Sequence, residues 1–279
     1  MNGAEKKQRL KRILESPSYI RAYEDVEFMQ RSELRPVRLQ LELLKPEMIL
    51  SEQKINSTIV VFGGTRIAEP SEAKRKVEEA RTALGAAPDD PILKRDLAVA
   101  ERISAKSRYY DEAREFGRLV SGSCQTDGRR DYVIVTGGGP GVMEAANRGA
   151  HDIGAKSIGM NITLPHEQAP NPYITPELCF QFHYFAIRKM HFLLRAKALV
   201  AFPGGLGTFD ELFETLTLVQ TMKVDRLPVL LFGREFWEGA VDFRYLADEG
   251  VIDFADLDLF SFVETAEEAW HLISNFYAR

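Results

Sequence analysis

Three glycine runs stand directly behind short apolar runs. Residues 57–62 lead into Gly63-Gly64-Thr65-Arg66, and 132–136 into Gly137-Gly138-Gly139-Pro140-Gly141. Residues 198–202 lead into Pro203-Gly204-Gly205-Leu206-Gly207-Thr208. Glycines between a strand and a helix let the backbone approach a ligand, and the helix N-terminus that follows offers free N–H groups to an anion. Thr208 adds a hydroxyl at such a helix start. A tight turn explains one such loop, whereas three in one chain point to a phosphate-bearing ligand. Two nucleotide motifs fail. Val142 stands where the dinucleotide fingerprint needs Gly or Ala, and no strand ending in an acidic ribose ligand follows. Neither Gly204 nor Gly205 opens a P-loop, because no Gly-Lys-Ser/Thr follows at the required spacing. A mononucleotide or another small phosphate ester fits better than a dinucleotide or ATP.

Behind the third loop, Phe209, Leu212, Phe213, Leu216 and Val219 make the apolar stripe of a helix, with Asp210, Glu211 and Glu214 off it. Acidic residues in a first turn complement the helix dipole, which accounts for Asp210 and is a fair account of Glu211. Glu211 also falls one turn after the phosphate cradle, within reach of the sugar of a bound nucleotide, and so is a catalytic candidate. In 184–197, Ile187, Met190 and Leu194 form an apolar stripe, and Tyr184, Arg188, His191 and Arg195 share another face. That second face reads as solvated, unless the helix borders the cleft and Arg188 binds phosphate in a bidentate manner. His166-Glu167 lacks the spacing of a zinc helix, and His151, His183 and His271 have no partners in sequence. No Ser-His-Asp or Cys-His arrangement stands out.

The elements that must position these residues alternate. Strand-like runs at 57–62, 132–136, 156–162, 198–202 and 227–232, with a late candidate at 257–263, are separated by helical patterns at 140–153, 184–197, 208–222, 234–247 and 265–277. Continuous apolar strands alternating with helices predict an α/β, Rossmann-like, doubly wound parallel sheet. Residues 1–54 read as a helical N-terminal extension limited by Pro17, Pro36 and Pro46, and 55–279 as the nucleotide-binding domain. Residues 71–120 hold two charged helical stretches, about 71–84 and 91–120, around a breaker-rich loop at 85–91. They read as a helical hairpin inserted after the first strand.

Composition sets the outer limits. The 279 residues are 45% hydrophobic and 28% charged, as in an ordinary globular chain. A net charge of −5 argues against a basic nucleic-acid binder. Two distant cysteines, Cys124 and Cys179, offer no metal site and fit a reducing compartment. The greasiest stretch, 192–202, is interrupted by Arg195 and Lys197, so no membrane span is expected. No apolar segment follows the basic N-terminus, so no secretory signal is expected and cytoplasm is the expectation.

The motif Pro203-Gly204-Gly205-Leu206-Gly207-Thr208-Phe209-Asp210-Glu211 resembles the PGGxGTxxE signature of the LOG ("lonely guy") family. That family comprises cytokinin riboside 5′-monophosphate phosphoribohydrolases, often labelled lysine decarboxylases. The stretch Thr136 to Asn147, the Leu164-Pro165-His166-Glu167-Gln168 run with Asn171, and Phe185-Ala186-Ile187-Arg188-Lys189-Met190 are similar to it too. The resemblance covers roughly 57–275. It implies a Rossmann-like fold and hydrolysis of the N-glycosidic bond of a nucleoside 5′-monophosphate, giving free base and ribose 5-phosphate. It implies Arg188 and Glu211 as the catalytic pair, with Gly204, Gly205, Gly207 and Thr208 holding the 5′-phosphate. Gly138, Gly139, Gly141, Glu144 and Lys189 are implied as further substrate contacts. No cofactor and no metal are implied, and a homodimer or higher homo-oligomer is. The extension, the insertion and the Gly63-Gly64-Thr65-Arg66 loop, where many members have serines, depart from the short form.

Three other readings compete. A carrier or sensor on the same fold would bind a nucleotide or cofactor without cleaving it, but such a binder needs no carboxylate near the sugar. A decarboxylase would need pyridoxal phosphate on a lysine, and no lysine has a readable site for it. A single-stranded nucleic-acid binder is opposed by the acidic residues Asp253, Asp256, Asp258, Glu267 and Glu268.

Overall fold

β-branched and aliphatic runs with no polar face can settle only where both faces are covered, and here they form the middle of one parallel sheet. The computed structural model describes residues 1–126, 128–163 and 169–278. The 164–168 run, with His166 and Glu167, lies outside the described residues. Two compact units are present, Met1–Glu47 and a larger one from Met48 onward. The first contains α1 (Gly3–Leu14), α2 (Val26–Met29) and most of α3 (Arg35–Glu52). Asn2 and Glu5 close α1 with a reciprocal capping box, and α1 buries none of its residues.

The larger unit begins with β1 (Thr58–Phe62), then α4 (Pro70–Ala86), α5 (Pro91–Ala105) and α6 (Arg108–Cys124). β2 (Val133–Thr136), α7 (Val142–Asp152), β3 (Ser157–Ile162) and β4 (Cys179–Phe182) follow. α8 (Phe185–Leu194), β5 (Ala196–Ala201), α9 (Leu206–Gln220) and β6 (Val229–Phe232) come next. α10 (Arg234–Ala240), α11 (Phe243–Asp248), β7 (Ser261–Val263) and α12 (Ala266–Tyr277) complete it. The seven strands are parallel in the order β4-β3-β2-β1-β5-β6-β7. Alternate residues of β1 feed the two layers: Val60 and Phe62 pack with Val135, Phe192, Leu212 and Trp237. Ile59 and Val61 pack with Phe116, Ile134, Val142 and Ala145 on the other side.

The chain runs outward from β1 to β4, then returns to pair β5 with the free edge of β1. That reversal opens a crevice at the carboxyl ends of β1 and β5, where open α/β sheets place ligands. Several sequence expectations change: the helical pattern at 234–247 is two short helices, α10 and α11, and the late candidate at 257–263 is strand only over Ser261–Val263. β4 was not anticipated, since its half-exposed CFQF pattern lacks the apolar run of its neighbours. The stretch 91–120 is two helices, broken at Lys106 and Ser107. The hairpin is α4 with α5, and α6 is the crossover helix, pressed on α7 where Gly117 and Gly149 let the backbones touch. Sequence reading merged α5 and α6 because Lys106-Ser107 carries no Gly or Pro.

Candidate functional site

The loops after β1 and β5 face each other across the crevice, and α8 and α9 supply its charged side chains. The resulting cleft has a volume of about 240 Å³. Gly63, Gly64 and Thr65 come from the first loop, Gly205, Gly207 and Thr208 from the second, and Arg188, Asp210 and Glu211 from the two helices.

The glycines of the second loop have different jobs. A Cβ on Gly204 would collide with the side chain of Thr208, so Gly204 makes room for protein. A Cβ on Gly205 or Gly207 would meet nothing within 4 Å, so bare backbone there serves no internal packing. α9 starts at Leu206, earlier than the sequence pattern gave, and Gly205 caps it without a side-chain hydrogen bond. Its first turn holds no acidic residue, which corrects the dipole account of Asp210 and Glu211. The positive end of the helix is thus left without a counter-charge of its own beside exposed N–H groups.

α8 is rotated relative to its sequence pattern, with Ile187 of the expected stripe still packed on the core. Met190 and Leu194, expected in the core, are 47% and 51% exposed. His191, expected on a solvated face, is buried, and Phe192 beside it is in the core. Arg188 reaches inward: its Nε donates to the carbonyl of Met160 at 2.7 Å and its guanidinium lies 5.0 Å from the Phe192 ring centroid. Gly137 lacks a Cβ where one would stand 2.7 Å from Arg188 Nη2. Burial pulls the Arg188 pKa below its ordinary value, and the nearby Glu211 opposes that. Among the described residues no acceptor takes the Nη hydrogens, so a half-buried cation with spare donors faces the cleft.

Glu211 is 7% exposed. Burial raises its pKa to about 7, against the pull of Lys189 and then Arg188. Lys189 bridges α8 to α9: its Nζ lies 3.0 Å from Asp210 Oδ2 and 2.9 Å from Glu214 Oε2. Burial works against the charged ammonium, yet the hydrogen bonds it donates to Glu214 and Asp210 leave its pKa raised.

Of the substrate and catalytic residues that the resemblance implies, Arg188, Glu211, Gly205, Gly207 and Thr208 line the cleft, and Gly138, Gly139, Gly141, Glu144, Lys189 and Gly204 do not. Lys189 is occupied by its two carboxylates, and Gly204 lies beneath Thr208. Gly138 (φ 76°) is packed on the Asn161 amide, Gly139 on Met143, and Gly141 (φ 75°) on Gly64. Glu144 points away to α6, accepting from the Tyr110 hydroxyl at 3.0 Å. These first-motif residues shape the wall rather than forming it.

Sequence reasoning missed Phe62, Met143 and Phe185 on the cleft, because apolar lining looks like core until placed. It also missed a buried polar knot. Thr136 donates to Asn147 at 2.7 Å, and Asn171 donates to Asn147 at 3.0 Å and to the Gly138 and Gly139 carbonyls at 3.2 and 3.1 Å. The knot fixes the first glycine loop, and only the fold brings Asn171 to it.

The sequence profile of a family described as "possible lysine decarboxylase" matches residues 143–273. The chain is 29% identical over 168 residues to cytokinin riboside 5′-monophosphate phosphoribohydrolase LOG3 of Arabidopsis thaliana, covering 58% of this chain and 73% of that protein. It is 30% identical over 152 residues to cytokinin riboside 5′-monophosphate phosphoribohydrolase LOG of Oryza sativa subsp. japonica, covering 53% of this chain and 58% of that one. Among solved structures, it is similar to the molybdenum cofactor binding protein from Rippkaea orientalis at 19% identity and a TM-score of 0.45. That likeness covers 61% of this chain and 88% of the other. Likeness to the Moco carrier protein from Chlamydomonas reinhardtii covers 80% and 98%, at 18% identity and a TM-score of 0.46.

Proposed function

We propose, from the premise that this chain carries a LOG-family domain, that the protein is a hydrolase. Its substrate is a nucleoside 5′-monophosphate, of the cytokinin riboside or AMP type, and its products are free base and ribose 5-phosphate. The observation that supports this reading best is the cleft itself. It sets a buried carboxylate and a half-buried guanidinium with spare donors beside a helix N-terminus whose first turn holds no acidic residue. A carrier needs the anion cradle alone.

In this mechanism the 5′-phosphate sits on the backbone of Gly205 and Gly207 with the hydroxyl of Thr208. Arg188 holds the substrate in register and offsets its charge. The C1′–N bond breaks with the electron pair leaving on the base, and the sugar passes through an oxocarbenium-like state. Ionised Glu211 stabilises that cation and takes a proton from the water that adds to C1′, and this proton passes on to the departing base, which leaves as the neutral free base with Glu211 ionised again. The low polarity that raises the Glu211 pKa also strengthens its interaction with the positive sugar. The reaction consumes one water and calls for no metal or redox partner.

Incubation with a panel of nucleoside 5′-monophosphates, including AMP and an N6-prenylated AMP, tests the proposal by chromatography of base and ribose 5-phosphate. Base release by wild-type protein that falls at least about 100-fold in Glu211→Gln is the expected result. Binding of a monophosphate with no release over hours would overturn it in favour of a carrier or sensor.

A further inference from the structure

The crossover from β1 to β2 carries more chain than one helix requires, and the surplus encloses a second hollow. α4 and α5 pair as a hairpin over the loop that follows β1. Between hairpin and loop lies a cavity of about 380 Å³, within the range of small-molecule sites. Its walls divide by chemistry. Val99, Ala100 and Ile103 of α5 make one side apolar, while Arg66 and Lys76 bring positive charge and Asp96 a carboxylate.

Lys76 is partly engaged, with Nζ 3.5 Å from Glu72. Among the described residues, Asp96 has only a distant partner in Arg95, at 4.0 Å. Arg66 is exposed, and among the described residues nothing pairs with its guanidinium. Thr65 lines both this hollow and the cleft.

We infer that the hollow is a second ligand site, separate from the cleft, and that it takes a mononucleotide. A flat base fits the apolar side formed by α5, and its exocyclic amino group donates to Asp96. The phosphate lies on Arg66, whose planar fork suits it, with Lys76 adding charge. The inference uses none of the residues assigned to bond cleavage, so it stands or falls apart from that reading.

Calorimetric titration of AMP into full-length Glu211→Gln protein tests it, since AMP stays intact there under the proposed mechanism. Two AMP molecules per chain are expected. Arg66→Ala, an exposed position, is expected to weaken one binding event about 10- to 100-fold. Ala100→Trp, which fills the hollow, should remove the same event, and Thr208→Val should weaken only the other. Arg66→Ala keeps the test decisive if Ala100→Trp disturbs the hairpin. AMP binding unchanged in Arg66→Ala, or no AMP binding at all, would overturn the second site. A single event lost in Arg66→Ala but kept in Thr208→Val would sustain it while removing the support for the cleft.

Discussion

Glu211 is held at an energetic cost. Its pKa rises from the ordinary 4.5 to about 7 on folding, chiefly through burial. Below pH 4.5 the carboxyl is protonated in both folded and unfolded chains and has no effect on stability. Between those values the folded chain binds more protons, so stability falls as pH rises, and above 7 the full penalty applies. The shift corresponds to about 3 kcal/mol. Glu211→Gln is therefore expected to melt at a higher temperature than wild type at pH 8, with the gain vanishing near pH 4.5. A mutant no more stable than wild type at pH 8 would show that Arg188 and Lys189 already compensate the charge. The same titration gives a second expectation. If ionised Glu211 takes the proton from water, turnover at saturating substrate should rise with pH through about 7. A profile flat from pH 5.5 to 8.5 would remove Glu211 from that role.

At the scale of elements, one loop carries two kinds of glycine. Gly204→Ala is expected to destabilise the protein by about 1–3 kcal/mol, because the new methyl collides with Thr208 under the start of α9. Gly205 has φ −97° and open space around its Cα, so Gly205→Ala should fold as wild type. In the proposed complex its methyl would instead obstruct the backbone that faces the 5′-phosphate, and affinity for a nucleoside monophosphate should fall. Thermal melts and titrations of both variants check this, and a Gly205→Ala protein with unchanged affinity would move the phosphate elsewhere. The rotation of α8 follows from similar competition. Burying Phe192 against Phe62, at 4.8 Å between ring centroids, decides the helix rotation and takes Arg188 inward with it.

At the scale of the molecule, the strand order reverses between the paired β1 and β5, and open α/β sheets place their crevice at the carboxyl ends of such a pair. The rotation of α8 leaves Phe185, Met190 and Leu194 about half exposed, and Leu206 at the start of α9 is 90% exposed. Apolar groups in that number on two adjacent helices suit burial against a second copy of the chain. Light scattering at micromolar concentration is expected to report at least a dimer, and Met190→Glu with Leu194→Glu to give single chains. A wild-type protein that runs as a monomer would remove the expectation. Among the described residues no helix is long and apolar enough to cross a membrane.

Local rules carried the parallel α/β class and the glycine loops, because strand burial and tight turns leave their mark within a few residues, whereas the pairing of Arg188 with Glu211 came from the family resemblance. The same rules misjudged whatever depends on a distant partner. Lys189 is a strap between helices because Asp210 and Glu214 come from another element. Asn171 locks a loop more than thirty residues away, at a separation no local pattern encodes. α8 has two plausible faces, and its hydrophobic spacing favoured the wrong one. Which face a helix buries is settled by the sheet it lands on, and that sheet exists only once β1, β3 and β5 have come together.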